Sequence, residues 1–172
     1  MFEGMIVICG TPGTGKTTLG RMLERENYEV IHLTDFVKSK KLYTCYDEEF
    51  GSYVIDEERM VENLLAKREK VEKPGKPLIV EGIGATLLPK KTVHLCIILT
   101  CDPAIIEKRL KGKGYPRMKI ERNIEAENLS VILGDALEKF GEEQCVQIDT
   151  TDLTKEDLLE KVKKLIRRHL KT

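Results

Sequence analysis

Eight residues near the start of the chain, Gly10-Thr-Pro-Gly-Thr-Gly-Lys-Thr17, constrain most of what it can become. They satisfy GxxxxGK[ST] at each fixed position, and each position has a chemical reason. Glycines let the backbone curl so that successive N–H groups point inward at phosphate oxygens, with no side chain in the way. Lys16 adds a cation for the β- and γ-phosphates, and Thr17 a hydroxyl for Mg²⁺. A helix opening at this point turns its positive end toward the anion. Such a loop belongs between a strand and a helix. Met5–Cys9 (MIVIC) reads as a short buried strand, and the stretch to about Arg25 as the helix.

The remainder of the chain alternates in the same way. Strand patterns fall at Tyr28–Leu33, Leu78–Glu81, His94–Leu99 and Cys145–Asp149, the second of these after the breaker Lys73–Pro77. Met60, Val61, Leu64 and Leu65 recur at helical spacing, as do Leu158, Leu159, Val162, Leu165, Ile166 and Leu170. Thr154 and Asp157 form a cap signal before the latter. Ile120, Ile124, Val131 and Leu137 make a rougher stripe, read as one long helix from near Pro116. Strands alternating with helices predict an α/β fold: a mainly parallel sheet with helices on both faces.

Composition bounds the function. At 172 residues, one domain spanning 1–172 is expected. With 29 basic and 29 acidic residues, the balance argues against a protein that coats nucleic acid or an anionic membrane. An apolar content of 41% supplies a substantial core. No apolar run approaches the ~18–20 residues of a membrane helix, and the opening MFEGMIVICG has no basic leader pattern. The five cysteines lack CxxC spacing, so neither a zinc site nor a disulfide framework is expected. A cytoplasmic protein without membrane partners is the resulting expectation. Two segments are one-sided in charge: Asp47–Glu62 has seven acids against Arg59, and Lys161–Lys171 has six bases and no acid. The first reads as a solvated edge or a dock for a basic partner; the second as a solvated helix face suiting the macrodipole, or an RNA-contacting tail.

A nucleotide site does not name a reaction. No paired-glycine transporter signature occurs, and the chain is too short for a motor or helicase module, which leaves chiefly a small kinase. Glu81 ends a strand at the carboxyl edge, where a carboxylate can hold Mg²⁺ directly or through water, or merely cap a turn. Arg109, Lys111, Lys113 and Arg117 surround Gly112 and Gly114, a basic segment suited to closing over phosphates. An acceptor hydroxyl would need a carboxylate base, for which Asp35 is available; a phosphate acceptor would need none.

Beyond the phosphate loop, further blocks are informative together: Leu33-Thr-Asp35, LYTCYDEEF (Leu42–Phe50), IDEER (Ile55–Arg59), and the run from Arg109 through KGY (Lys113–Tyr115) to KIERNIEAE (Lys119–Glu127). On these blocks nearly the whole chain resembles the adenylate kinase isoenzyme 6 family of small archaeal and eukaryotic P-loop kinases. The resemblance implies a five-stranded parallel sheet, an acceptor (NMP)-binding region at about 32–55 and a short lid at about 112–122. The implied reaction is ATP + AMP ⇌ 2 ADP with Mg²⁺, alongside slow ATP hydrolysis. It further implies a role in small-subunit rRNA maturation through a small-subunit ribosomal protein, with transient pre-rRNA contact. Gly13, Thr14, Gly15, Lys16, Thr17, Thr18 and Lys113 would bind ATP, with adenine near Asp149–Thr154. Asp35 and Lys38 would meet the acceptor, Lys16, Arg109 and Lys113 would act on the transferring group, and Thr17 and Glu81 would face the metal. Three departures stand out. Glu81 and Ile83 replace an aspartate and a histidine, and Lys38 and Lys113 stand where arginine occurs in relatives. An ATP-switched assembly factor with little kinase activity, or a small-metabolite kinase, is the alternative reading.

Overall fold

The computed structural model describes residues 4–71 and 77–170. Lys171 and residues 73–76 of the breaker lie outside the described residues. In chain order the elements are β1 (Met5–Gly10), α1 (Lys16–Arg25), β2 (Glu29–His32), α2 (Leu33–Ser39), β3 (Tyr43–Asp47), β4 (Ser52–Ile55), α3 (Glu57–Glu69), β5 (Leu78–Glu81), β6 (Val93–Thr100), α4 (Pro103–Gly112), α5 (Arg117–Asn128), α6 (Val131–Phe140), β7 (Cys145–Asp149) and α7 (Lys155–Leu170). Five strands form one sheet in the order β2-β5-β1-β6-β7, and every pairing in it is parallel. The expected fold class is therefore present.

Its central strand explains the layering. Each residue of β1 is buried, and successive side chains leave by opposite faces. Met5, Val7 and Cys9 join Met60 and Leu64 of α3 and Ala136 and Phe140 of α6 in one cluster. Ile6 and Ile8 join Leu19 and Leu23 of α1 and Val162 and Ile166 of α7 in another. A sheet covered on both sides needs apolar residues at every position, which is why the strands read as continuous runs. Local caps set the helix starts. Asp102 accepts from the Ala104 N–H at 2.8 Å before Pro103-led α4. Thr154 accepts from the Asp157 N–H at 3.1 Å, and its hydroxyl donates to Asp157 at 2.7 Å, the expected cap of α7.

Three expectations change. The long helix from Pro116 is two, α5 and α6, broken where Ser130 takes a positive φ of 52°. Ile120 and Ile124 pack with Ile106 and Leu110 of α4, whereas Ala136 and Phe140 cover the sheet. One straight rod cannot present its apolar face to both. The β3–β4 antiparallel hairpin is new, because its short, half-exposed strands carry little apolar pattern. Lys163 on the basic helix face is not solvated: it is 8% exposed and pairs with Glu26 at 2.8 Å and Glu160 at 3.0 Å. Cys9, Cys96 and Cys101 are buried as small core residues, while Cys45 is exposed on the hairpin.

Phe140 is fully buried between α6 and the sheet. Phe140→Ala should cost about 3–5 kcal/mol, read as a lowered urea midpoint at unchanged m-value.

Candidate functional site

The site sits at the carboxyl ends of β1, β5 and β6, where the sheet hands the chain to α1. Gly10 cannot carry a side chain, since a Cβ there would overlap the Leu99 carbonyl oxygen of the neighbouring strand. Gly13 and Gly15 hold φ values of +92° and +103°, left-handed conformations that glycine adopts without penalty. A Cβ on Gly13 would meet Ile106 and Leu110 of α4 only at ordinary van der Waals distance, so it is the backbone conformation that calls for glycine there. The loop is closed from within: Thr14 Oγ1 donates to the Thr11 carbonyl at 2.8 Å, and Lys16 Nζ donates to the same oxygen at 3.0 Å.

Lys16 is buried, and burial pulls its pKa from 10.5 down to about 8, partly offset by the Glu81 charge. Thr17 and Thr18 are exposed on the first turn of α1. Glu81 ends β5 in register with Ile8 of β1 and His32 of β2, and its carboxylate acts electrostatically on Lys16. Arg109 reaches from α4 to donate Nη1–H to the Gly13 carbonyl at 2.8 Å. Lys113 caps the end of α4, and its charge also acts on Lys16. Lys16, Arg109, Lys113 and Glu81 therefore converge on one loop. Asp35 and Lys38 lie apart from that cluster, exposed on α2, with Lys38 Nζ 5.5 Å from the centre of the Tyr53 ring on the hairpin. The hairpin tip meets α5: Arg122 pairs with Glu49 at 3.0 Å and stacks on Phe50 at 4.1 Å, while Lys119 donates to the Gly51 carbonyl at 3.1 Å.

Three residues here escaped the sequence reading. Glu127 of α5 accepts from the Thr11 hydroxyl with one oxygen and from the Cys101 N–H, at 2.9 Å, with the other, so it ties the loop to the end of β6. Thr150 falls in the stretch expected near adenine but has no role of its own in that expectation; its hydroxyl donates toward the Thr14 carbonyl at 3.3 Å and that of Thr100 at 3.0 Å. His32 Nδ1 contacts Glu81 Oε1 at 2.6 Å. Burial lowers the His32 pKa, but the Glu81 and Glu24 carboxylates outweigh it and leave the net value raised. No pattern in the chain pairs these residues; only the fold does. Thr154-Lys-Glu-Asp157 has the [NT]KxD form by which GTPases read guanine, so the chain does not lack that tetrapeptide and its absence cannot count against a GTPase. Here Thr154 and Asp157 are spent on each other as the cap of α7.

A hard divalent cation would find oxygen donors in the Thr17 hydroxyl and the Glu81 carboxylate. Among the described residues no three acidic, histidine or cysteine side chains cluster as a metal cage. Bound phosphates would thus complete the coordination, the arrangement Mg²⁺ favours. Among the described residues no helix is long and apolar enough to cross a membrane.

A phosphate loop between β1 and α1 in a parallel sheet of this strand order defines a P-loop NTPase of the kinase type. Solved structures agree at the level of fold: shikimate kinase from Acinetobacter baumannii in complex with shikimate has a TM-score of 0.63 at 20% identity, covering 97% of this chain and 96% of that one. Shikimate kinase from Bacteroides thetaiotaomicron gives 0.60 at 20%, covering 95% and 98%. Residues 6–130 match the family described as an AAA domain. Among curated relatives, a protein of Saccharolobus solfataricus named "Putative adenylate kinase" is 38% identical over 92% of this chain and 81% of its own length. Relatives of the same name from Methanocaldococcus jannaschii and Archaeoglobus fulgidus are 38% and 37% identical, over 91% and 95% of this chain and 82% of each of theirs. The chain belongs to this P-loop family of archaeal adenylate kinase homologues.

The lowered Lys16 pKa has a measurable consequence. Phosphate oxygens beside the ammonium restore its affinity for a proton, so near pH 9 ATP binding should take up a proton, and near pH 6.5 Lys16 should contribute none. Calorimetry in two buffers of different ionisation enthalpy checks this, with Lys16→Met removing the uptake.

Proposed function

We propose that this chain is an adenylate kinase of the isoenzyme 6 type, transferring the γ-phosphoryl group of ATP to AMP. The observation that carries the reading is the convergence of Lys16, Arg109 and Lys113 on the phosphate loop, in a chain 38% identical to relatives named for this activity. Phosphoryl transfer needs positioning and positive charge rather than covalent chemistry from the protein. The acceptor is a phosphate oxygen, already anionic, so no general base is required.

In this reading Gly13, Thr14, Gly15, Lys16, Thr17 and Thr18 bind the ATP phosphates, and the turn from Asp149 to Thr154 lies along adenine. Region 32–55 receives AMP, with Asp35 and Lys38 toward its phosphate, and 112–122 acts as lid. Thr17 and Glu81 would hold Mg²⁺, which would supply positive charge against the phosphates when bound. Lys16 then follows the γ-phosphoryl group, and Arg109 either leaves the Gly13 carbonyl or divides its N–H donors between that carbonyl and the phosphate. Lys113, a point charge without a planar fork, supplies field rather than fixed geometry. Slow ATP hydrolysis accompanies transfer, since Ile83 can orient no water.

We further propose, on the DEEF, IDEER and KGY…NIEAE blocks, a role in small-subunit rRNA maturation in the cytoplasm through a small-subunit ribosomal protein. The exposed acids Glu48 and Glu57 beside the hairpin supply a surface for a basic partner.

Lys16→Ala should lower phosphoryl transfer at least a hundredfold, about 3 kcal/mol of transition-state stabilisation, with the fold intact by circular dichroism. Steady-state ADP formation with AMP varied at saturating Mg·ATP tests the acceptor. Lys38→Ala should raise the KM for AMP severalfold and leave hydrolysis of ATP alone unchanged, whereas Arg109→Ala should depress both. Failure of AMP to stimulate ADP formation by the wild type would replace the kinase with the ATP-switched assembly factor.

A further inference from the structure

We propose that His32 is a positioning residue for the Glu81 carboxylate and, through it, for the divalent cation that accompanies the nucleotide; the inference rests on the nucleotide-binding part of the reading above. His32 is the last residue of β2 and stands in register with Glu81, the last residue of β5. Its Nδ1 lies 2.6 Å from Glu81 Oε1, and the two side chains retain only 18% and 6% of their exposure. Because a carboxylate only accepts, Nδ1 carries the proton and donates it whatever the charge of the ring.

The slot for this pair is built by a third element. Gly20 of α1 faces it, and a Cβ there would stand 2.9 Å from His32 Cε1 and 3.2 Å from Glu81 Cγ. Glu24, one turn further along α1, brings Oε2 to within 3.4 Å of His32 Nε2, outside hydrogen-bond geometry, and so closes the far side of the ring. The imidazole is thus wedged among α1, β2 and β5, one turn beyond the helix start that carries Lys16 and Thr17.

The consequence follows from the length of the glutamate. Its carboxylate swings on three torsions, and a swinging oxygen is a poor ligand for a cation that demands near-ideal octahedral geometry. With Oε1 committed to His32, Oε2 at the end of β5 is the oxygen left for a cation, on a carboxylate whose charge Lys16 already feels. Partners of this kind, one step removed from the metal, typically change metal affinity by 10–100-fold when deleted.

The test uses the full chain and reads binding rather than turnover. ATP affinity is measured by calorimetry in EDTA and across a Mg²⁺ titration. His32→Ala and His32→Leu, the second preserving bulk without a donor, should raise the Mg²⁺ concentration for half-maximal enhancement of ATP affinity about tenfold. Affinity in EDTA should stay at the wild-type value. His32→Asn, whose Nδ2 can stand where Nδ1 stood, should recover most of the loss. In the Glu81→Gln background, His32→Ala should add nothing. The proposal is overturned if both histidine variants weaken ATP equally with and without Mg²⁺, if the Mg²⁺ midpoint does not move, or if the two substitutions add. A wild type whose ATP affinity ignores Mg²⁺ also overturns it. Absence of AMP-stimulated ADP formation would refute the kinase assignment and leave this inference standing.

Discussion

The turn from Gly10 to Lys16 governs this molecule: a strand buried on both faces must become a helix within five intervening residues. Such a turn places backbone N–H groups at the end of the sheet, where phosphate oxygens can satisfy them. Gly10 must clear the Leu99 carbonyl, and Gly13 and Gly15 must take left-handed backbone, so the shape of the loop is dictated by sterics before any ligand arrives. Placing β1 in the middle of the sheet then brings the ends of β5 and β6 to the same edge, and with them Glu81 and Cys101.

Around that turn the side chains are arranged as compensating charges. Lys16 is too buried to keep its ordinary proton affinity, and it leans on the Thr11 carbonyl with Glu81 nearby. Thr11 is in turn held by Glu127, whose other oxygen takes the Cys101 N–H. Thr11, Glu127 and Cys101 thus form a fixed frame for the loop, while the buried Lys16 ammonium rests on a carbonyl that phosphate oxygens can replace. Arg109, though exposed, already rests on the Gly13 carbonyl at the loop.

The β3–β4 hairpin and α5 meet through Arg122–Glu49, Arg122 on Phe50 and Lys119 on the Gly51 carbonyl. These contacts are exposed and each is individually weak. They join β3–β4 to the same helix whose far end carries Glu127, so one rigid element spans from the hairpin tip to the phosphate loop. The acids of Asp47–Glu62 are accordingly not a uniform solvated run: Glu49 is paired with α5, and Asp56 caps α3 through the Arg59 N–H at 3.2 Å.

Local chemistry made much of this legible in the residues alone. A phosphate loop has strict backbone demands, strands buried on both faces must be apolar throughout, and a Thr154–Asp157 cap is complete within four residues, so each leaves a pattern in the chain. The β3–β4 hairpin left none, because half-exposed strands need no continuous apolar run. The break at Ser130 was hidden because the stripe from Ile120 to Leu137 records that residues are apolar, not which partner they bury against. The pairs His32–Glu81 and Thr11–Glu127 are separated by 49 and 116 residues, and no spacing rule reaches across such distances. Sequence determined the loop, the sheet and the supply of cations; tertiary structure alone decided which carboxylate each site residue faces, because that depends on parallel strands ending side by side.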